Sequence, residues 1–380
     1  MSEKNYKKAA QIIIKAGMLP FPITDTLMDI MHLLYTDEEV KFITKAFRRK
    51  PSLTMDQLKE KTGMPEEEIL EIITSLADKG ALFNQPSSKG FMVYRLLPLI
   101  MVGTFEYTFM NKIEYTEKEK EIAKLFDMLF DELQDVVQDR YDKMLPLFKQ
   151  IPPVDRTVPI HENVEGKEIE IEVNKEIESP EEKVLAADTI RDIIKKFDDI
   201  AVAHCFCRQH QDLLGNSCEI TDLRETCFTF GKSARYVSEH GFGRMISQDE
   251  ALEILRKSEE EGLVHKAFHP HGDIGRDETS ICNCCKDCCA TFGLWRDGVM
   301  PMVNATNFLS NIDQNLCVGC GTCVERCPVD AIELNNEEKA ERNADWCIGC
   351  GICAHFCPES AISLLEGQRK VFVPPPKLRD

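Results

Sequence analysis

Residues 317–334, CVGCGTCVERCPVDAIEL, recur 30 positions later as CIGCGICAHFCPESAISL, and this repeat constrains the chain more than any other feature. Each copy places cysteines at steps of three, three and four, and the last is followed by proline. Thiolates at i, i+3 and i+6 wrap one loop around a small centre. A fourth cysteine ahead of proline sits where the chain leaves that loop, and so reaches toward a second centre. The glycines of each GCG step let backbone N–H groups approach the sulfur. The chain holds 17 cysteines, nine between 205 and 289, eight between 317 and 357, and none before 205. A disulfide framework of this density needs an oxidising compartment. The start, MSEKNYKKAAQIIIKAGMLPFPI, has a short apolar run that Lys15 interrupts and no small-residue cleavage site, so no leader is expected. Nor does any stretch reach the roughly 18 apolar residues of a membrane span. The expectation is a cytoplasmic protein whose cysteines bind metal.

The spacing C-x2-C-x2-C-x3-C-P is the bacterial two-cluster run, in which the fourth cysteine ligates the other cluster. One 4Fe–4S cluster is therefore assigned to Cys317, Cys320, Cys323 and Cys357, and the other to Cys347, Cys350, Cys353 and Cys327. Residues 311–367 resemble bacterial-type dicluster ferredoxins, which implies a small βαββαβ-like fold and relay of single electrons between neighbouring clusters.

The nine earlier cysteines fall in two blocks. HCFCR at 204–208 is followed by Cys218 and Cys227, and ICNCCKDCC at 281–289 supplies Cys282, Cys284, Cys285, Cys288 and Cys289. Neither block has the spacing of a zinc finger, a c-type haem site or a plant-type ferredoxin. Soft thiolates favour iron–sulfur or zinc over hard cations. A third iron–sulfur cluster is the leading expectation, with structural zinc, a redox-active dithiol or plainly buried thiols as alternatives. Adjacent cysteines on an extended backbone point to opposite sides. One of Cys284/Cys285 and one of Cys288/Cys289 should thus face a centre, while its neighbour packs or serves a second role. His265, His269 and His271 are expected to pack or face solvent rather than bind metal. Arg208 could offset cluster charge or form an ordinary ion pair.

Upstream, residues 37–97 read as three helices and a hairpin. Thr36 with Glu39, and Thr54 with Gln57, cap the first two helices. The third starts at Pro65, buries Ile69, Ile72, Ile73 and Leu76, and stops before Gly80. That order resembles a winged helix. A long amphipathic helix is expected over 117–145, ended by Pro146, then a strand at 168–173. A helix capped by Ser179-Pro180-Glu181-Glu182 should feed a strand at IAVA, and Ser247 with Glu250 should cap another helix. Taken together, the winged-helix-like start, C-x-C-R, GLVH at 262–265, ICNCC and the terminal dicluster segment look like a family of poorly characterised iron–sulfur proteins of anaerobic microbes, from about 37 to 367. That pattern matches Cys205, Cys207, Cys218, Cys284, Cys285 and Cys288 as metal ligands.

The fold class expected is α+β multidomain: a winged-helix-like domain (1–115), a long helix and acidic linker (116–180), a cysteine-rich α/β domain (181–310) and a dicluster ferredoxin-like domain (311–380). The function expected is an iron–sulfur electron-transfer protein or subunit working with redox partner proteins, rather than a stand-alone enzyme. A reductase with a catalytic middle-domain cluster and a redox- or iron-sensing winged-helix regulator are the alternatives. Net charge is −19, and residues 116–200 alone carry 23 acidic against 13 basic residues, which disfavours nucleic acid. No dinucleotide, Walker A or flavin fingerprint is present, so no nucleotide cofactor is expected.

Overall fold

The computed structural model describes residues 3–17, 22–87, 89–153, 155–173, 189–270 and 276–379. The chain divides into two compact units, and it enters and leaves each more than once. The first comprises residues 1–133, 203–217 and 232–245, and the second 134–202, 218–231 and 246–380. This differs from the four consecutive segments expected from the sequence.

In the first unit α1 (Glu3–Ala16), α2 (Asp25–Leu34) and α3 (Asp37–Ala46) lead into β1 (Ser52–Leu53), α4 (Met55–Thr62), α5 (Glu66–Ala77), β2 (Leu82–Pro86) and β3 (Met92–Leu96). The strands form a small antiparallel sheet in the order β1-β3-β2. Local chemistry fixes the helix starts. The Thr36 hydroxyl accepts the Glu39 N–H, and the Glu39 carboxylate accepts the Thr36 N–H at 2.7 Å. The Gln57 side chain accepts the Thr54 N–H at 3.1 Å. Ile69, Ile72, Ile73 and Leu76 of α5 are buried, as their spacing requires. Asp78, expected to point outward, instead meets His240 Nδ1 at 2.6 Å.

Next come α6 (Thr104–Met110) and most of α7 (Glu117–Gln138). Two later helices, α10 (Phe206–Leu214) and α11 (Lys232–Glu239), belong to this unit as well. From α10, Gln209 accepts the Ile113 N–H and donates to the carbonyls of Phe109 and Asn111. His210 lies edge-on to Phe105 and Phe109, with Nε2 3.0 Å from the Ala123 carbonyl. From α11, the Tyr236 hydroxyl lies 3.0 Å from the carbonyls of Ala77 and Leu82.

The helix expected over 117–145 is two helices. After α7 the backbone breaks at Arg140, and α8 (Tyr141–Phe148) follows with Pro146 inside it rather than at its end. Tertiary hydrogen bonds explain the break. The Gln138 amide donates to the carbonyls of Gly298 and Pro376 and accepts from Leu378, while the Tyr141 hydroxyl donates to Pro375.

The second unit is built on β4 (Asp155–Val158), β5 (Ile171–Val173), α9 (Ile190–Lys195), β6 (Ile200–His204) and β7 (Glu225–Phe230). β8 (Gly243–Ile246) leads back into it, followed by α12 (Gln248–Glu260), β9 (Val264–Phe268), β10 (Ser280–Cys284) and α13 (Ala290–Arg296). Then come β11 (Met302–Ile312), α14 (Thr322–Arg326), β12 (Ile332–Leu334), β13 (Ala340–Arg342), α15 (Ile352–His355) and β14 (Ile362–Val373). Its mixed sheet runs β5-β14-β11-β4-β9-β10-β7-β6. Ser247 caps α12 by accepting the Glu250 N–H, as expected. The expected cap at 179–182 lies outside the described residues, and α9 is capped by Thr189. The boundary expected at 310/311 falls inside β11, which pairs with β14 from Met302↔Val373 to Ile312↔Ile362. Since β11 also pairs with β4, and β4 with β9, the repeat and the second cysteine block share one sheet.

Candidate cluster and metal sites

Both copies of the repeat fold alike. Each loop precedes a short helix, α14 or α15, and its two glycines adopt left-handed conformations. The φ values are +72° and +79° at Gly319 and Gly321, and +65° and +78° at Gly349 and Gly351. A side chain at Gly319 would collide with the Glu338 carbonyl, and one at Gly349 with the Phe308 carbonyl. After each Cys-Pro the chain turns through another left-handed residue, Asp330 (φ 51°) or Ser360 (φ 48°). This aims the next N–H back at sulfur: Ala331 donates to Cys327 Sγ at 3.2 Å and Ala361 to Cys357 Sγ at 3.3 Å. Ala340 N–H likewise donates to Cys317 Sγ at 3.4 Å.

Cys317, Cys320, Cys323 and Cys357 line one cavity together with Ile312, Val318 and Pro358. Cys327 is instead close enough to Cys347, Cys350 and Cys353 for their charges to raise one another's pKa values. The two sets differ in exposure. Cys320 is exposed and Val318 beside it is 62% exposed, whereas Cys350 and Cys353 are buried. Burial pushes the Cys323 thiol up to about 11 and those of Cys350 and Cys353 further. Buried thiols of this kind give up their protons to a coordinated metal rather than to water. Soft donors, N–H groups aimed at sulfur and glycines that leave room together fit cubane clusters.

One pair of residues escaped the sequence reading. Lys339 donates to the Cys317 carbonyl and Arg369 to the Cys347 carbonyl. They stand in the same 30-residue relation as the cysteines, so carrying the repeat offset past the strands would have found them.

Residues 310–364 match the family of 4Fe–4S dicluster domains. This dicluster domain is also where a curated relative aligns, one component of an ion-translocating oxidoreductase complex from Methanosarcina acetivorans. It is 42% identical over 75 residues, covering 19% of this chain and 26% of the relative. The chain thus spans about a quarter of that relative's length. No solved structure matches. The dicluster domain carries the iron–sulfur electron-transfer chemistry of this chain.

The second cysteine field splits in two. On β10 the side chains alternate, and register sets Cys282 opposite Cys227 on one side and Lys266 on the other. Cys284 hydrogen-bonds with Cys282 and Cys289, and Lys266 close by forms a 2.6 Å ion pair with Asp155 in a fully buried setting. Cys285 and Cys288 lie in the other group, with Cys218 and Asp287. There the Asp287 carboxylate accepts N–H groups from Glu219 and Cys288, both at 2.8 Å, and Leu263 packs against the buried thiols. Of the six residues expected to bind metal, three therefore meet in one group, Cys218, Cys285 and Cys288, and Cys284 belongs to the other. Cys205 caps α10 and Cys207 is buried one turn in, both within the first unit apart from Cys218 in the chain division. Arg208 is fully buried in the same helix. His265 is buried between Asn283, at 2.6 Å, and Glu259, at 3.5 Å. His269 Nδ1 lies 2.7 Å from the Arg276 carbonyl. His271 lies outside the described residues.

Proposed function

We propose that this protein is an electron-transfer protein or subunit that passes single electrons through two 4Fe–4S clusters to and from redox partner proteins in the cytosol. Cys317, Cys320, Cys323 and Cys357 hold one cluster, and Cys347, Cys350, Cys353 and Cys327 the other. The observation that carries this reading is the pairing of the donors, each fourth cysteine lying with the other copy's triad. The solvent-facing Cys320 side is the port for the partner, and the buried set is the inner relay. The aligned relative is one component of a complex, which agrees with a protein that works through partners. Among the described residues no helix is long and apolar enough to cross a membrane.

The inner set also leans toward the second cysteine field. Phe356, between Cys353 and Cys357, abuts Gly262, whose neighbour Leu263 packs on Cys285 and Cys288. Arg326 stacks on the same ring at 3.6 Å. Electrons leaving the dicluster domain inward meet this field first, and we read it as metal-binding. The N-terminal order α3-β1-α4-α5-β2-β3 agrees with a winged helix that docks protein.

Replacing Cys327 with Ser tests the assignment. In the anaerobically reduced protein, EPR should show the signal of the cluster held by Cys347, Cys350 and Cys353 altered or lost, with the other intact. Loss of the cluster held by Cys317, Cys320 and Cys323 instead would overturn it.

A further inference from the structure

The middle group differs from the dicluster sets in how tightly its donors are drawn together. Cys218 Sγ, Cys285 Sγ, Cys288 Sγ and an Asp287 oxygen all lie within 4.8 Å of one another, and among the described residues this is the one group of three or more such donors so close. Geometry then separates one ion from a cluster. A tetrahedral ion with metal–sulfur bonds of about 2.3 Å holds its thiolates roughly 3.8 Å apart. A cubane takes each thiolate on a different iron, with inorganic sulfides filling the corners between them, so its ligands must surround the whole cube. Four donors within 4.8 Å leave room for the ion and not for the cube.

The group is also complete as a ligand shell. Cys285 and Cys288 are the C-x2-C pair that can clasp one metal from a single turn, and Cys218 arrives from the segment ahead of β7. The N–H groups of Ile220 and Thr221 hydrogen-bond to Cys218 Sγ, as backbone amides do around metal thiolates. Asp287 is exposed, but it is held in place. Its Oδ2 accepts the Glu219 N–H and its Oδ1 accepts the Cys288 N–H, which leaves Oδ1 3.4 Å from Cys218 Sγ. Buried Leu263 closes the apolar side.

We propose that Cys218, Cys285, Cys288 and Asp287 form a tetrahedral site for a single thiophilic divalent ion, zinc or ferrous iron, and not the third iron–sulfur cluster expected from the sequence. The site clips the segment ahead of β7 to the turn after β10. This rests on reading the middle field as metal-binding and is independent of the cluster assignment in the dicluster domain.

The test is iron, zinc and acid-labile sulfide analysis of the full chain purified anaerobically. The expected result is one metal ion more than the iron of two cubanes, with sulfide staying at about eight per chain. Two neighbouring cysteines should then behave oppositely. Cys285→Ser should lose the extra ion while cluster iron and sulfide stay, and Cys284→Ser should lose neither. Should Cys285→Ser fold poorly, cobalt(II) loaded into the zinc-stripped chain gives a second readout. Tetrahedral cobalt bands with thiolate charge transfer, shifted in Asp287→Asn, support the site. About twelve irons with about twelve sulfides would establish a third cubane and overturn the proposal. So would the absence of any extra ion, or its loss in Cys284→Ser but not Cys285→Ser. A shortfall in sulfide alone would count against the dicluster assignment and leave the difference between the Cys285 and Cys284 variants readable.

Discussion

Lys266 shows how far a single residue can lie from what its type suggests. It stands on β9 among cysteines, with its ammonium ion-paired to Asp155 and 5.2 Å from the Phe292 ring centre. Asp155 and the nearby thiols raise its pKa further. Lys266→Met leaves the Asp155 carboxylate buried without its counter-charge, and should lower the unfolding free energy of the second unit by about 3–5 kcal/mol in denaturant titrations. His210 makes the opposite case in the first unit. Burial among phenylalanines pulls it down to about 4, below the roughly 6.5 of an exposed histidine. The unfolded chain then binds the proton first, so His210 keeps its full stabilising effect above about pH 6.5 and loses it as pH falls toward 4. The loss is roughly 3 kcal/mol. Hydrogen exchange of the α6, α7 and α10 amides should quicken across that window, and His210→Gln should flatten the dependence. Neither residue was legible in the sequence, because burial of a charged or titratable side chain depends on strands and helices far away in the chain. The dicluster cysteines were legible because their spacing is itself the geometry. Asp287 was not, since a lone aspartate between cysteines reads as a turn residue.

At the scale of elements, the two GCG loops separate two roles of glycine. A Cβ at Gly321 meets nothing, so Gly321→Ala costs only the left-handed backbone, about 1–2 kcal/mol. At Gly349 the same backbone cost is joined by a collision with the Phe308 carbonyl and contact with Thr306 Oγ1 at 2.6 Å. Gly349→Ala should therefore lose the cluster of Cys347, Cys350 and Cys353, while Gly321→Ala keeps both clusters, as iron content and EPR will report. Elements with strong local signals emerged as read, among them α3, α5, the hairpin β2–β3, β6 and α12. The helix over 117–145 did not, because the bonds of Gln138 to Gly298, Pro376 and Leu378 that interrupt it come from residues more than 150 positions away. α1 and α2 went unread because that stretch was weighed only as a possible leader. The division of the middle cysteines follows from strand alternation on β10, but which cysteine joins which partner depends on the register with β7 and β9.

For the molecule as a whole, charge settles what the N-terminal region can touch. Residues 1–115 carry 15 basic and 15 acidic residues, and on α5 Glu67, Glu68 and Glu71 are exposed. Binding to duplex DNA draws chiefly on counterion release by Lys and Arg, of which Arg48, Arg49 and Lys50 form the one cluster nearby. No sequence-specific shift of duplex DNA is expected at sub-micromolar protein and physiological salt. A shift abolished by Arg48→Ala with Arg49→Ala would restore the regulator reading. More than one core was to be expected of 380 residues, but the interleaving of the two units was not, because nothing local marks where a chain crosses between cores. That interleaving sets an order of events on the ribosome. The aromatic pocket around Phe105 waits for Phe206 and His210, and the carbonyls of Ala77 and Leu82 wait for Tyr236. The first unit cannot close until some 245 residues have been made, by which time most of the partner strands of the second have yet to emerge. Excising residues 1–115 would thus remove no self-contained module, but strip α10 and α11 of the surfaces they were synthesised to cover.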